Sequence, residues 1–130
     1  MKMAAPLIQR LMKNDLAGAA AELEQNDYLV SPQNAAAKEK MKALFGTNLQ
    51  NLAPRRLENS GGPIADRLGE LKVPTLIIVG EDDHPDNARQ SQVAHEKIPG
   101  SVLVTMKHAG HLAYVEHPQE FADLVMNFLK

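Results

Sequence analysis

The chain has 130 residues, of which 44% are hydrophobic and 23% are charged, as is ordinary for a globular domain. A formal net charge of −2 gives no basic surface for nucleic acid, and the absence of cysteine excludes disulfides, thiolate catalysis and cysteine-based zinc sites. No apolar run is as long as a membrane span, and the amino terminus lacks the apolar stretch of a secretory signal. We therefore expect a cytoplasmic protein with neither nucleic acid nor a membrane as a partner.

The first part of the chain, residues 1–72, carries only helical signals. Apolar residues recur at helical spacing over 7–12, which predicts a first helix. Asn14 or Asp15 is suited to cap a second helix over 16–23.

A third helix is predicted to begin at Ser31, because a capping residue is followed there by Pro32 at the first helical position. Gly46 is typical of a residue that ends such a helix. The polar residues 47–62 predict a loop, and residues 63–71 predict a short helix that opens on proline.

The second part, residues 73–130, changes character. Continuous apolar runs rich in β-branched residues at 75–79 and 102–106 are typical of strands buried on both faces of a parallel sheet. Residues 85–98 have helical composition, so the three segments predict a βαβ unit. An apolar stripe predicts a last helix over 118–129. We expect the two parts to form one compact domain.

Acidic residues and histidines follow the two predicted strands. Asp83 comes directly after the first strand and His111 after the second. Because adjacent parallel strands bring these loops to the same sheet edge, the Asp83 carboxylate is expected to reach a ring nitrogen of His111. Such a carboxylate fixes the imidazole tautomer and stabilises the imidazolium.

Three segments around these residues resemble the α/β-hydrolase family. The strand and acid turn are similar to Val73-Pro-Thr-Leu-Ile-Ile-Val-Gly-Glu-Asp-Asp83. The approach to the family's final strand resembles Ile98-Pro-Gly-Ser-Val-Leu-Val104. Its catalytic histidine loop and closing helix resemble Ala109-Gly-His-Leu-Ala-Tyr-Val-Glu-His-Pro-Gln-Glu-Phe121.

The resemblance implies that Asp83 is the acid and His111 the base of a Ser-His-Asp type hydrolase. It covers residues 70–130, and residues 1–70 resemble the family's variable helical cap. The implied fold class is α/β: a truncated α/β-hydrolase-like βαβα unit with two parallel strands, preceded by an all-helical cap-like segment. No cofactor and no metal follow from it.

The family's nucleophile is missing from the sequence. The family carries it on a Gly-x-Ser-x-Gly turn, and none of the four serines lies in that pattern; they are Ser31, Ser60, Ser91 and Ser101. We therefore expect a protein related to ester and acyl hydrolases that is inactive as the isolated chain. This half of the family pattern does not separate hydrolases from dehalogenases and peroxidases.

Several of these residues also have simpler interpretations. Asp82 or Asp83 can cap the helix that begins near Pro85. His108 and His111, three residues apart and close to Asp82 and His84, lack convincing ligand spacing for a metal.

The remaining candidates in this part of the chain are expected to be structural. His117 is expected to cap the last helix, and His95 to be solvated. Glu116, Tyr114 and His108 are expected to lie on the surface or pack in loops.

The alternative to a hydrolase is a non-catalytic oligomerising or binding module descended from one. In the family, the strand that corresponds to residues 75–79 lies between two others, and here only two strands are predicted. The open edge predicts a homo-oligomer, formed by pairing of strand edges or by exchange of the amino-terminal helices. Besides a second copy of the chain, a small ester-like molecule is expected as a ligand.

Overall fold

The computed structural model describes residues 4–53 and 64–130. Among these residues no helix is long and apolar enough to cross a membrane. The helices and strands are α1 (Ala4–Met12), α2 (Leu16–Glu24), α3 (Ala35–Thr47), a 3₁₀ turn (Leu49–Leu52), a second 3₁₀ segment (Ile64–Glu70), β1 (Leu76–Gly80), α4 (Pro85–Lys97), β2 (Val102–Met106), α5 (Ala113–Glu116) and α6 (Pro118–Phe128).

The sheet consists of β1 and β2, which pair in parallel as the sequence predicts. The register is even along the whole pair, from Leu76 opposite Val102 to Gly80 opposite Met106. Helix α4 forms the crossover and packs against both strands. The carboxyl ends of the two strands therefore lie side by side, and the loops that follow them start from the same end of the sheet.

Burial of the strands is less complete than their apolar sequences predict. Val79 and Met106, near the carboxyl ends, are buried, whereas Val102 at the start of β2 is 45% exposed. The main cluster beside the sheet is built on Met106, and Phe121 of α6 packs against it. The expectation of burial on both faces thus holds only at the carboxyl ends of the strands.

The amino-terminal helices follow the predicted pattern closely. Asp15 caps α2, since its side chain accepts a hydrogen bond from the Gly18 N–H at 2.9 Å. That bond, and next the Arg10 guanidinium at 2.8 Å, lower the pKa of Asp15. The other candidate cap, Asn14, instead occupies the left-handed region with φ of 55° and makes the turn between α1 and α2.

The predicted start of α3 at Ser31 is wrong. The helix begins at Ala35, and its cap is Asn34, whose side chain accepts from the Ala37 N–H at 3.1 Å. The hydroxyl and the N–H of Ser31 are bound by Asp82 and Glu116, which lie far along the chain. The sequence around Ser31 matches a helix start, but tertiary hydrogen bonds hold this serine outside the helix.

The predicted end of α3 is also displaced, because Gly46 lies inside the helix. The helix continues to Thr47, whose hydroxyl donates to the Ala43 carbonyl at 2.9 Å. The side chain of Asn48 donates to the Leu44 carbonyl, also at 2.9 Å. These two side chains satisfy carbonyls in the last turn, so no glycine is needed to end it.

The loop predicted over 47–62 is only partly within the described residues. Its first part includes the 3₁₀ turn Leu49–Leu52 rather than irregular chain, and residues 54–63 lie outside the described residues. The short helix predicted over 63–71 is a 3₁₀ segment over Ile64–Glu70. Two helices, α5 and α6, occupy the end of the chain, where one was predicted.

The end of β1 depends on Gly80, which the carbonyls of Ala109 and Gly110 approach from the following loop. A β-carbon at position 80 would overlap both carbonyl oxygens, and both belong to backbone that cannot rotate away. We expect Gly80→Ala to lower the free energy of unfolding by about 1–3 kcal/mol. Urea unfolding followed by circular dichroism measures this change.

The matched control is Gly46→Ala, where a β-carbon meets no atom within 4 Å. Because this glycine lies in the interior of α3, alanine should raise the free energy of unfolding by about 0.5–1 kcal/mol. Equal changes in the free energy of unfolding for the two substitutions would show that the carbonyls of Ala109 and Gly110 do not pack closely against Gly80.

Candidate active site

The loops that follow the two strands are joined by main-chain hydrogen bonds that continue the sheet. The Glu81 N–H donates to the Met106 carbonyl and the Asp82 N–H to the Ala109 carbonyl, both at 2.8 Å. The next residue, Asp83, turns back so that its N–H bonds the Gly80 carbonyl at 3.3 Å. The parallel register of the sheet is in this way carried into the loops, and it brings Asp83 to the histidine loop.

The predicted approach of Asp83 to His111 is confirmed. Nδ1 of His111 lies 2.9 Å from Oδ2 of Asp83. The Asp83 side chain is only 5% exposed, whereas the His111 side chain is 55% exposed. The carboxylate is therefore held inside the protein while the imidazole faces outward from it.

The second carboxylate oxygen of Asp83 is fixed by two local donors. Oδ1 accepts from the His84 N–H at 2.6 Å and from Nδ2 of Asn87 at 2.8 Å. Neither Asp82 nor Asp83 is the cap of α4, because His84 holds that position and its Nδ1 accepts from the Asp86 N–H at 3.2 Å. The interpretation of the two aspartates as helix caps is thus wrong.

Sequence analysis did not identify Asn87 as part of this site. It lies four residues after Asp83, in the first turn of α4, and this spacing is the only sequence signal that places it near the carboxylate. Its Nδ2 is also 3.2 Å from Nδ1 of His111. Asn87 therefore touches both members of the pair.

These contacts assign the tautomer of His111. An ionised carboxylate only accepts hydrogen bonds, so Nδ1 of His111 must carry the proton that lies between the ring and Asp83. The amide of Asn87 then donates to Asp83 and only lies beside the ring nitrogen. Nε2 of the neutral ring is left as the acceptor, and it has no hydrogen-bond partner within residues 4–53 and 64–130.

The histidine loop is held from its other side by the segment between α2 and α3. The His111 N–H donates to the Tyr28 carbonyl at 2.8 Å, and the Leu112 N–H donates to the Leu29 carbonyl at 2.9 Å. Gly110 permits this approach, because a β-carbon there would come within 2.7 Å of the Tyr28 oxygen. The cap-like segment thus fixes the backbone that carries the candidate base.

Glu116 is buried and bridges the same two parts of the chain. Its Oε1 accepts from the Gly110 N–H at 2.6 Å, and its Oε2 accepts from the Ser31 N–H at 2.9 Å. The Ser31 hydroxyl donates in turn to Oδ2 of Asp82 at 2.6 Å. Of the two roles considered for Glu116, loop packing is therefore the one that the structure shows.

A cavity of about 400 Å³ opens beside the pair. Its wall combines the acid loop, the histidine loop, the start of α4 and the segment after α2. Its lining residues are Leu7, Asn26, Tyr28, Leu29, Asp83, His84, Asp86, Asn87, Gln90 and His111. The side chain of His111 thus borders a space of the size of a small-molecule site.

The other histidines have structural contacts. His95 is half-buried rather than fully solvated as expected, and its Nδ1 lies 2.9 Å from the Ser101 hydroxyl. His117 is the first residue before α6 but makes no side-chain cap; its Nε2 instead contacts the His108 carbonyl at 3.0 Å. In the described part of the chain, no three His, Cys, Asp or Glu residues are grouped in a way that could hold a metal ion.

No serine in the described ranges forms a hydrogen bond with the His111 side chain. The Ser31 hydroxyl is fully buried and bonded to Asp82, and the Ser101 hydroxyl donates to main-chain carbonyls. Ser91 belongs to α4. Ser60 lies outside the described residues.

Comparison with known proteins identifies the origin of this arrangement. The model of the Alpha/beta hydrolase family matches residues 2–124. The chain belongs to this family.

Relatives include a 2-hydroxy-6-oxononadienedioate/2-hydroxy-6-oxononatrienedioate hydrolase of Klebsiella pneumoniae, 37% identical over 68% of this chain and 35% of the relative. Protein ABHD14A of Homo sapiens is 31% identical over 87% of this chain and 45% of the relative. The crystal structure of the esterase RhEst1 from a Rhodococcus species superposes with a TM-score of 0.74 and 28% identity. That match covers 99% of this chain and 46% of the esterase.

The chain therefore spans less than half the length of these relatives. The predicted fold class, a truncated α/β-hydrolase unit with two parallel strands after a helical segment, is confirmed by the family match and the sheet. Two of these three proteins are named as a hydrolase and an esterase.

The tautomer of His111 is directly measurable. At a pH where the ring is neutral, ¹⁵N chemical shifts should show the proton on Nδ1, because Asp83 accepts it at 2.9 Å. Asp83→Asn should remove this preference, since the new amide no longer acts as an acceptor only.

The control is Asp86→Asn, which changes a carboxylate three residues after Asp83. This carboxylate is 59% exposed and forms no hydrogen bond or ion pair with His111 among the described residues. The substitution should leave the tautomer of His111 unchanged. A wild-type ring protonated on Nε2 would contradict the orientation described for the pair.

Proposed function

We propose that the chain supplies the acid and the base of an acyl-hydrolase active site, with Asp83 as the acid and His111 as the general base. The observation that carries the proposal is the 2.9 Å contact between them, made by a buried carboxylate and an exposed ring. Nδ1 faces the acid, which leaves Nε2 on the side of the ring where a hydroxyl nucleophile would be served.

The proposed reaction is hydrolysis of an ester or a related acyl compound. His111 takes the proton of a serine hydroxyl as the oxygen attacks the carbonyl carbon, and Asp83 stabilises the imidazolium that forms. The same proton then passes to the leaving alcohol, and an acyl-enzyme remains on the serine. His111 next takes a proton from water, which attacks the acyl group and releases the carboxylic acid product, and the proton returns to the serine. The esterase and hydrolase relatives support this reaction class.

The isolated 130-residue chain should have no serine-hydrolase activity. It contains no Gly-x-Ser-x-Gly sequence, and no serine of the described residues is hydrogen-bonded to the His111 side chain. Without a positioned nucleophile the base has no hydroxyl to activate. Turnover of short-chain nitrophenyl esters should equal that of His111→Ala, and clear turnover that this substitution abolishes would identify a serine nucleophile within the chain.

The positive test supplies the nucleophile. The amino-terminal half of a family esterase, with its Gly-x-Ser-x-Gly turn, would be fused ahead of this chain. Ester hydrolysis by the chimera should fall about 10³-fold or more on His111→Ala or Asp83→Asn.

The matched control in the chimera is His108→Asn. His108 is exposed in the same loop and has φ of 52°, a conformation that asparagine tolerates. This substitution should leave the rate unchanged. Activity that survives His111→Ala would contradict the proposed role of His111.

A second candidate function is a non-catalytic module that assembles with a second copy of itself. It is favoured by the outer edge of β1. Thr75 and Glu81 turn their main-chain groups toward β2, because Thr75 O accepts from Val102 N and Glu81 N donates to Met106 O. By the alternation of a parallel ladder, Leu76 and Ile78 direct theirs to the opposite edge, where no strand of the described residues lies.

Sedimentation at low micromolar concentration tests this assembly, which we expect to be a two-fold dimer paired along β1. Leu76→Pro removes an outward N–H at the first residue of the strand, where proline is tolerated, and should shift the chain toward monomer. Leu76→Ala is the control, because it shortens the same side chain and keeps the N–H. A folded wild-type monomer would refute the proposal.

A further inference from the structure

Glu116 has a charge and a position that loop packing alone does not require. The residue is only 8% exposed. Burial of a carboxylate is costly unless it is hydrogen-bonded, and the same space could be filled by an apolar side chain. The contacts of Glu116 therefore point to a more specific use.

Both oxygens of Glu116 bind main-chain N–H groups rather than a cation. One oxygen receives the N–H of Gly110 at 2.6 Å, and the other that of Ser31 at 2.9 Å. These two residues belong to the two segments that meet at the histidine loop. The Glu116 carboxylate thus links the two segments in addition to the direct main-chain bonds between them.

The bond from Glu116 to Gly110 bears on the candidate base, because Gly110 directly precedes His111. The His111 N–H is in turn bonded to the Tyr28 carbonyl, three residues before Ser31. The segment 28–31 and the loop 110–111 are therefore joined at both ends, once by main chain and once by Glu116. A rotation of the His111 backbone would have to break one of these bonds.

We infer that Glu116 is a positioning residue, which holds the backbone of His111 so that Nδ1 meets the Asp83 carboxylate. This inference rests on the proposed role of His111 as the general base. Glu116 itself forms no hydrogen bond with the imidazole or with Asp83 in the described residues. It acts through Gly110 on one side and through the Tyr28 segment on the other.

Glu116→Gln tests the inference with almost no change in shape. A glutamine has one acceptor oxygen and one donor NH₂, so one of the two main-chain N–H groups would face another donor. We expect amide exchange at Gly110 or Ser31 to become about tenfold faster or more. The Nδ1 proton of His111, which ¹H–¹⁵N spectra of the wild type should show far downfield beside Asp83, should shift or broaden beyond detection.

The control is Glu120→Gln, an exposed carboxylate in the first turn of α6. It should change neither the exchange rates nor the His111 proton. If Glu116→Gln lowers the melting temperature but leaves the His111 proton in place, the residue stabilises the fold without positioning the base, and the inference fails.

A measurement on the wild type covers the case in which Glu116→Gln does not fold. A through-bond coupling between the Gly110 nitrogen and the Glu116 carboxyl carbon, with protected amides at Gly110 and Ser31, supports the inference. Exchange at the rate of an open loop overturns it. These spectra are recorded without substrate, so their outcome is separate from the chimera assay that tests the proposed reaction.

Discussion

The parallel pairing of β1 with β2 is the constraint on which the rest of the structure depends. Each strand has five residues, and an antiparallel arrangement would place the acid loop and the histidine loop at opposite ends of the sheet. A two-stranded sheet is marginal by itself, so helices must stabilise it. Helix α4 packs on both strands, and α6 packs beside Met106. The site therefore depends on a sheet that its own crossover and closing helices hold together.

The orientation of Asp83 follows from the cost of burying it. A buried carboxylate needs donors, and here the His84 N–H, the Asn87 amide and the His111 ring together surround both oxygens. Each bond to an ionised group contributes about 1.5–3 kcal/mol, so any rotation of the carboxylate would leave a donor or an oxygen unpaired. No buried side-chain polar atom of the described residues lacks a partner. The acid is fixed before any substrate or nucleophile is present.

The strands and the crossover helix are predicted correctly because their signals, composition and period, are local. The approach of Asp83 to His111 joins residues 28 positions apart, and it is predictable because the order of two parallel strands places their following loops together. The start of α3 could not be predicted, because the local match at Ser31 is overruled by partners 51 and 85 residues away. For Glu116 the sequence leaves open a surface or a loop-packing role, since nothing in the local pattern shows that the N–H groups of Gly110 and Ser31 require an acceptor.

Both proposed functions would place a further strand against the outer edge of β1. The contacts that orient Asp83 and His111 within the described residues come from the segment 28–31, the loops after both strands and the first turn of α4. The geometry of the pair is thus compatible with either function. The outer edge of β1, in contrast, can serve only one of the two functions at a time, because the outward main-chain groups of Leu76 and Ile78 can pair with only one strand. A strand from the nucleophile-bearing part of a hydrolase and a second copy of this chain would therefore compete for it, and the proposed dimer would exclude the partner that completes the proposed active site.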